Sequence, residues 1–208
     1  LLDTQYRMNE EIMRFSSSWF YDGKVKADPI TAHSGILDYD TPIEWVDDVA
    51  NDDETVGETF VGETFGRINK VEARQVMELL QAYFEKIGKQ RIIDESIDVG
   101  IISPYRAQVQ YLRHLIKKEA FFKPFRHLLS VNTVDGFQGQ ERDVIIVSLV
   151  RSNNDGQIGF LRDLRRMNVA MTRARSKLII IGDHETLAHH EFYKKLYEYI
   201  KKHKTDNF

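Results

Sequence analysis

Val144-Ile145-Ile146-Val147-Ser148-Leu149-Val150 and, further on, Leu178-Ile179-Ile180-Ile181-Gly182-Asp183 decide the fold. Neither stretch alternates between apolar and polar. Both are apolar at successive positions, which a strand tolerates only when both of its faces are covered. Such strands belong to a parallel sheet lying between two layers of helices. The expected fold class is therefore α/β, a three-layer sandwich with a mainly parallel sheet.

The flanking pattern agrees. Residues 9–20 read as a helix with a partly apolar face ending at Asp22-Gly23, and residues 43–46 as a short strand. Residues 69–87 form the clearest amphipathic helix: Val76, Leu79, Leu80, Tyr83, Phe84 and Ile87 recur at three and four, with Gly88 at its end. Residues 99–102 read as a buried strand, and Ser103-Pro104 opens a helix to about residue 119. Residues 128–134 read as a strand, 161–175 as a helix and 186–202 as the closing helix. In parallel sheets ligands gather at the carboxyl ends of the strands, and Ser103, Thr133, Asp135 and Arg151 fall at or beside those ends.

The chain has 208 residues, 42% of them hydrophobic, enough to bury a full core as one domain. It has no cysteine, which excludes disulfides and thiolate metal sites and fits a reducing compartment, cytoplasmic or, in a eukaryote, nuclear. No apolar run approaches the roughly 20 residues that span a bilayer, so no membrane partner is expected. Leu1 stands where a start methionine would, and the chain is expected to be a fragment of something longer. The net charge of -3 hides a segregation: Asp47, Asp48, Asp52, Asp53, Glu54, Glu58 and Glu63 crowd one stretch, and the rest is mildly basic. Within that stretch Val-Gly-Glu-Thr-Phe occurs twice in tandem, at 56–60 and 61–65. Residues 47–66 are expected to be an acidic insertion, a mobile loop or hairpin with no assigned role.

Two polar segments precede the marked strands. Thr133-Val134-Asp135-Gly136-Phe137-Gln138-Gly139-Gln140-Glu141-Arg142-Asp143 has glycines that permit tight turns and close backbone approach. Its Gln138 and Glu141 can bond a sugar hydroxyl or orient a water. Asn168-Val169-Ala170-Met171-Thr172-Arg173-Ala174-Arg175 carries arginine. On a helix over 161–175, Leu164, Met167, Ala170, Met171 and Ala174 form one stripe, with Arg162, Arg166 and Arg173 on the other side. Those arginines are either a solvated face or a phosphate-facing one. Arg173, in the last turn, is placed to reach past the helix end. At the start of the chain, Tyr6 offers a ring for stacking and Arg7 a second guanidinium.

Together these segments resemble the second RecA-like domain of superfamily-one helicases, in the branch with nonsense-mediated-decay and immunoglobulin-switch-binding helicases. Gln5-Tyr6-Arg7-Met8 resembles the motif after the first domain, and residues 100–108 resemble motif IV with its flank. Residues 133–143 resemble motif V and residues 168–175 motif VI, while Asn69 with Glu72-Ala73 fits a small family signature. Residues 1–208 would then be a single C-terminal motor domain of P-loop NTPase fold.

The resemblance implies roles. Tyr6 would stack on ATP, Arg7 and Arg173 would reach the γ-phosphate, and Glu141 would bind the ribose with Gly139 and Gln138 nearby. Arginines so placed are worth about 10³–10⁵ in rate. Ser103, Pro104, Tyr105, Thr133 and Val134 would lie along single-stranded DNA or RNA, through contacts that carry affinity rather than sequence preference. The other implied partner is the preceding RecA-like domain, which would hold Mg²⁺.

Two departures stand out. Asn9-Glu10 replaces the His-Pro usual after Arg-Met, and no G-x-x-x-x-G-K-[ST] occurs. The isolated chain is therefore expected to hydrolyse ATP negligibly. The alternative is a non-enzymatic RecA-like module for binding nucleic acid or a protein. The motif spelling leaves DNA and RNA undistinguished.

Overall fold

The computed structural model describes residues 3–50, 57–63 and 66–205. In chain order the elements are β1 (Thr4–Gln5), α1 (Glu10–Tyr21), β2 (Lys26–Ala27), β3 (Ile43–Val46), β4 (Thr59–Val61), β5 (Gly66–Ile68), α2 (Lys70–Ile87) and α3 (Lys89–Asp94). There follow β6 (Val99–Ile102), α4 (Arg106–Lys118), a 3₁₀ run (Ala120–Leu128), β7 (Leu129–Asn132) and a 3₁₀ turn (Asp135–Phe137). The chain ends with β8 (Arg142–Ser148), a 3₁₀ turn (Gly159–Arg162), α5 (Leu164–Met171), β9 (Ala174–Ile181), α6 (His184–Leu187) and α7 (Glu191–Thr205).

The central sheet has the order β3-β9-β8-β6-β7, and every pair in it is parallel. The doubly apolar strands expected from the sequence sit at its middle. Alternate residues of β8 feed opposite cores: Ile145 and Val147 join Leu178 and Ile180 against α1, α5 and α7. Val144 and Ile146 join Ile179 and Ile181 against α2, α3 and α4. The result is the three-layer α/β sandwich of a RecA-like domain. None of the helices among the described residues is long and apolar enough to cross a membrane.

Several sequence boundaries move. The helix expected over 161–175 is instead a 3₁₀ turn and then α5, which stops at Met171. Ala174 already pairs with Arg142 as the first residue of β9, so sheet pairing overrides a helical pattern that has no glycine or proline to end it. The strand there starts earlier than expected and takes in Lys177, which is buried with its ammonium held by Asp40 at 2.6 Å and Glu44 at 2.9 Å. The strand expected over 128–134 is confined to Leu129–Asn132, and the helix after Ser103-Pro104 begins at Arg106. The closing helix is two helices, α6 and α7.

The acidic stretch contains an antiparallel hairpin, with Thr59 opposite Ile68 and Val61 opposite Gly66. The rest of the repeat, residues 56, 64 and 65, and the acids Asp52, Asp53 and Glu54, lie outside the described residues.

Candidate functional site

A parallel sheet has two unlike edges, and the candidate residues divide between them. Glu141 directly precedes β8 and Arg173 directly precedes β9, so both lie at the amino edge. The N-terminal segment is tied to the same place. Asn9 donates its backbone N–H to the Arg175 carbonyl at 2.8 Å, and Gln5 Oε1 accepts from the N–H groups of Arg7 (2.8 Å) and Met8 (2.7 Å).

Arg7 therefore points at a fixed spot. Its Nε donates to Glu141, and its Nη1 donates to the Thr172 carbonyl at 3.3 Å. Arg175 faces three carboxylates, Asp98 (2.9 Å), Asp143 (3.0 Å) and Glu141 (3.2 Å). Glu141 is thus gripped from two sides. Burial pushes its carboxyl up, but the hydrogen bonds from Arg175 and Arg7 outweigh that and hold it below the usual carboxylate range.

Arg173 is different. Its Nε and Nη1 donate only to the carbonyls of Val169 and Gln140, each at 3.3 Å, and it forms no ion pair among the described residues. Burial, and then the like charge of Arg7, lower its pKa below the ordinary arginine value. It sits in the short link between α5 and β9, not in a last helical turn, and it is not grouped with Arg162 and Arg166. Arg166 instead pairs with Asp135 at 2.9 Å. Tyr6 stands 72% exposed beside Arg7. Gly139 has φ +75° with open space where a Cβ would stand, and Gln138 is exposed in the same loop.

At the carboxyl edge lies a groove of about 920 Å³, and Pro104, Tyr105, Thr133 and Val134 all line it. Ser103 does not: its side chain is fully buried, with Oγ accepting from the Tyr105 N–H at 3.4 Å. Arg67, Arg106, Arg151, Arg166 and Asp135 also line the groove; Arg67 and Arg151 share Glu58 and Arg166 pairs with Asp135, while Arg106 is exposed. Arg151 is buried, with Nε donating to Glu58 at 2.6 Å and Nη1 to the Tyr105 hydroxyl at 3.4 Å. Glu58 also accepts from Arg67 and, at 3.1 Å, from the Ser152 N–H. The hairpin is therefore bolted to the groove floor as one of its walls.

Behind the floor, the chain after β8 turns through Val150 at φ 72°, a strained value for a β-branched residue. Glu72 secures it. Both its oxygens accept the Val150 N–H, at 2.9 and 2.8 Å, and one also accepts the Ser148 hydroxyl at 2.6 Å. Asn69 caps α2 and donates to the Val150 carbonyl (3.2 Å) and to Asp48 (3.0 Å). Burial raises Glu72 well above the usual carboxylate range and pushes Asp48 up to about 6.

Sequence reasoning did not single out Glu58, Arg67, Arg175, Asp98 or Phe160. Glu58 was one acid in an acidic run, and nothing in its neighbours marks it as the buried partner of a residue so distant in sequence. The Asn69 and Glu72 signature was visible, but its use in holding Val150 is a tertiary fact.

Residues 1–185 match the family model described as AAA domain. The chain is 37% identical to an uncharacterized ATP-dependent helicase of Methanocaldococcus jannaschii, over 97% of this chain and 29% of that protein. It is 39% identical to the DNA polymerase alpha-associated DNA helicase A of Saccharomyces cerevisiae, over 89% of this chain and 28% of that one. The chain thus spans under a third of these curated relatives. A crystal structure of the C-terminal domain of a possible DNA helicase from Lactobacillus plantarum WCFS1 matches with a TM-score of 0.51 at 14% identity, over 86% of this chain and 88% of that one, a likeness of fold.

Proposed function

This chain belongs to the superfamily-one helicases as one of their C-terminal AAA domains, and on that premise we propose that it is half of an ATP-driven motor. In the whole protein it would act with a preceding RecA-like domain to move along single-stranded DNA or RNA and part duplexes, in the cytoplasm or nucleus. The observation that carries this reading is the convergence of Arg7 and Arg173 at the amino edge, where Arg173 has no carboxylate partner among the described residues. Two like charges held together in partly buried surroundings favour an anion with several oxygens.

The proposed chemistry is hydrolysis of ATP brought in by the other domain. As the γ-phosphoryl group passes to water, negative charge spreads over its outer oxygens, and guanidiniums already in place stabilise that charge. Arg173 is the guanidinium bonded only to carbonyls, with no carboxylate partner among the described residues. Arg7 is oriented by Glu141, which Arg175 braces in turn. Glu141, Gly139 and Gln138 border the ribose in this reading, and Tyr6 offers its exposed ring to the base. In this reading Mg²⁺ would be held by ligands on the preceding domain. At the carboxyl edge, Pro104, Tyr105, Thr133 and Val134, with Ser103 behind them, form the nucleic-acid groove.

The test is nucleic-acid-stimulated phosphate release by the full protein, measured beside strand binding. Arg173→Ala is expected to abolish release and leave binding largely intact. Equal loss of both would overturn the assignment, as would robust ATP turnover by the isolated chain.

A further inference from the structure

The aromatic ring that the groove exposes is not Tyr105. Tyr105 is only 6% exposed, because Phe160 lies over it with ring centroids 5.3 Å apart and planes 33° apart. Phe160 itself is 62% exposed and lines the same groove. Nor is it a loose surface side chain. Its neighbours Ile158 and Leu161 are buried at 2% and 4%, and Tyr193 donates its hydroxyl to the Leu161 carbonyl at 2.6 Å. Gly159 sits at φ +52°, where a Cβ would stand 2.1 Å from Arg151 Nη1 and 2.8 Å from the Tyr105 hydroxyl. The backbone under Phe160 thus lies close on the groove floor at a position whose conformation and close contacts favour glycine. A large apolar face held rigid and wet, on a second ring, beside the exposed Arg106, combines a flat stacking surface with a charge for a phosphate backbone.

We propose that Phe160 is a base-stacking residue, receiving one base of a single strand in the groove while Tyr105 backs it from below. This rests on the reading of the groove as the nucleic-acid site. It predicts affinity that is insensitive to base identity, since every base has a flat face.

The experiment measures binding of the full protein to single-stranded dT and rU oligonucleotides, and to a dT strand carrying abasic positions, by fluorescence anisotropy over a range of salt. Phe160→Ala is expected to weaken binding to intact strands roughly tenfold with an unchanged salt slope, and Phe160→Trp to restore it. On the abasic strand, wild type and Phe160→Ala should bind alike. Arg106→Ala, a phosphate-facing control, should weaken both strands and make the salt slope shallower by about one. If Arg106→Ala acts as stated but Phe160→Ala does not, or if Phe160→Ala weakens the abasic strand equally, the stacking proposal is overturned while the groove reading stands. If the wild type binds no single strand, or neither substitution changes binding, the groove reading fails and the proposal with it.

Discussion

The two edges of the sheet handle charge in opposite ways. At the carboxyl edge the principal ion pair is closed and dry: the Arg151 and Glu58 side chains are 5% and 8% exposed, and each has further partners. At the amino edge the charges are open, with Arg7 and Glu141 both 39% exposed and Arg173 bonded only to carbonyls. Closed pairs fix shape, since removing one partner strands the other in a poor solvent. Open, under-compensated charge does little for stability and stays available to a ligand. The molecule is rigid at the carboxyl edge and keeps under-compensated charge at the amino edge.

That contrast can be broken at either end. The largest expected effect is from Arg173→Lys in the full protein: a loss of about 10³ in kcat for ATP hydrolysis, because an ammonium lacks the guanidinium fork. Chemical denaturation of the variant should show stability within about 0.5 kcal/mol of wild type. Near-normal turnover would mean that the edge needs only a point charge.

Glu58→Ala should do the reverse. Leaving Arg151 buried and unpaired is expected to cost about 3–5 kcal/mol, read from urea unfolding. A cost below about 1 kcal/mol would show that the hairpin does not brace the groove.

A smaller change follows from Glu141→Gln, which keeps the shape but removes the charge that Arg7 and Arg175 share. Hydrolysis is expected to fall about tenfold as Arg7 loses its orientation, with strand binding unchanged. The smallest effect is on pH. Asp48 is pushed up to about 6 by burial, so the native chain holds that proton more tightly than the unfolded chain, whose ordinary value is 3.8. Its stabilising contribution is complete below the unfolded value and is lost as pH rises through about 6. Asp48→Asn should flatten that decline, by about 1 kcal/mol after allowing for solvent screening. An unchanged slope of stability between pH 4 and 7 would remove Asp48 as its source.

The sheet was legible because its middle strands, β8 and β9, are apolar at successive positions, a pattern few other structures tolerate. Residues 69–87 and 9–20 were legible through helical spacing and the stops at Gly88 and Asp22-Gly23, while the N-caps made by Asn69 and Asn9 on α2 and α1 are seen only in the structure. The end of α5 was not legible, since Thr172 and Arg173 carry no stop signal and it is pairing with Arg142 that pulls Ala174 into a strand. The carboxyl-edge placement of Ser103 and Thr133 was legible from the sequence, but the gathering of Arg7, Glu141 and Arg173 at the amino edge was not. Arg7 reaches that edge only through the tertiary bonds of Asn9 to Arg175 and of Arg7 to Glu141, which no local pattern marks. Phe160 was hidden by its surroundings: among Ile158, Gly159 and Leu161 it reads as one more core residue, and only the fold leaves its ring outside.

Between the two edges runs one short piece of backbone, residues 133–141. It leaves β7 beside the groove, crosses the height of the sheet, about 20 Å for a strand the length of β8, and delivers Gln140 and Glu141 to the arginines. Midway, Phe137 is driven into the core at 1% exposure. The segment is therefore anchored at its middle and meets a different edge of the sheet at each end. Gln140, which holds Arg173, and Thr133, which faces the groove, are its two tips. Whatever fixes Phe137 in the core thus fixes, in one piece of backbone, the positions of both ends of this segment.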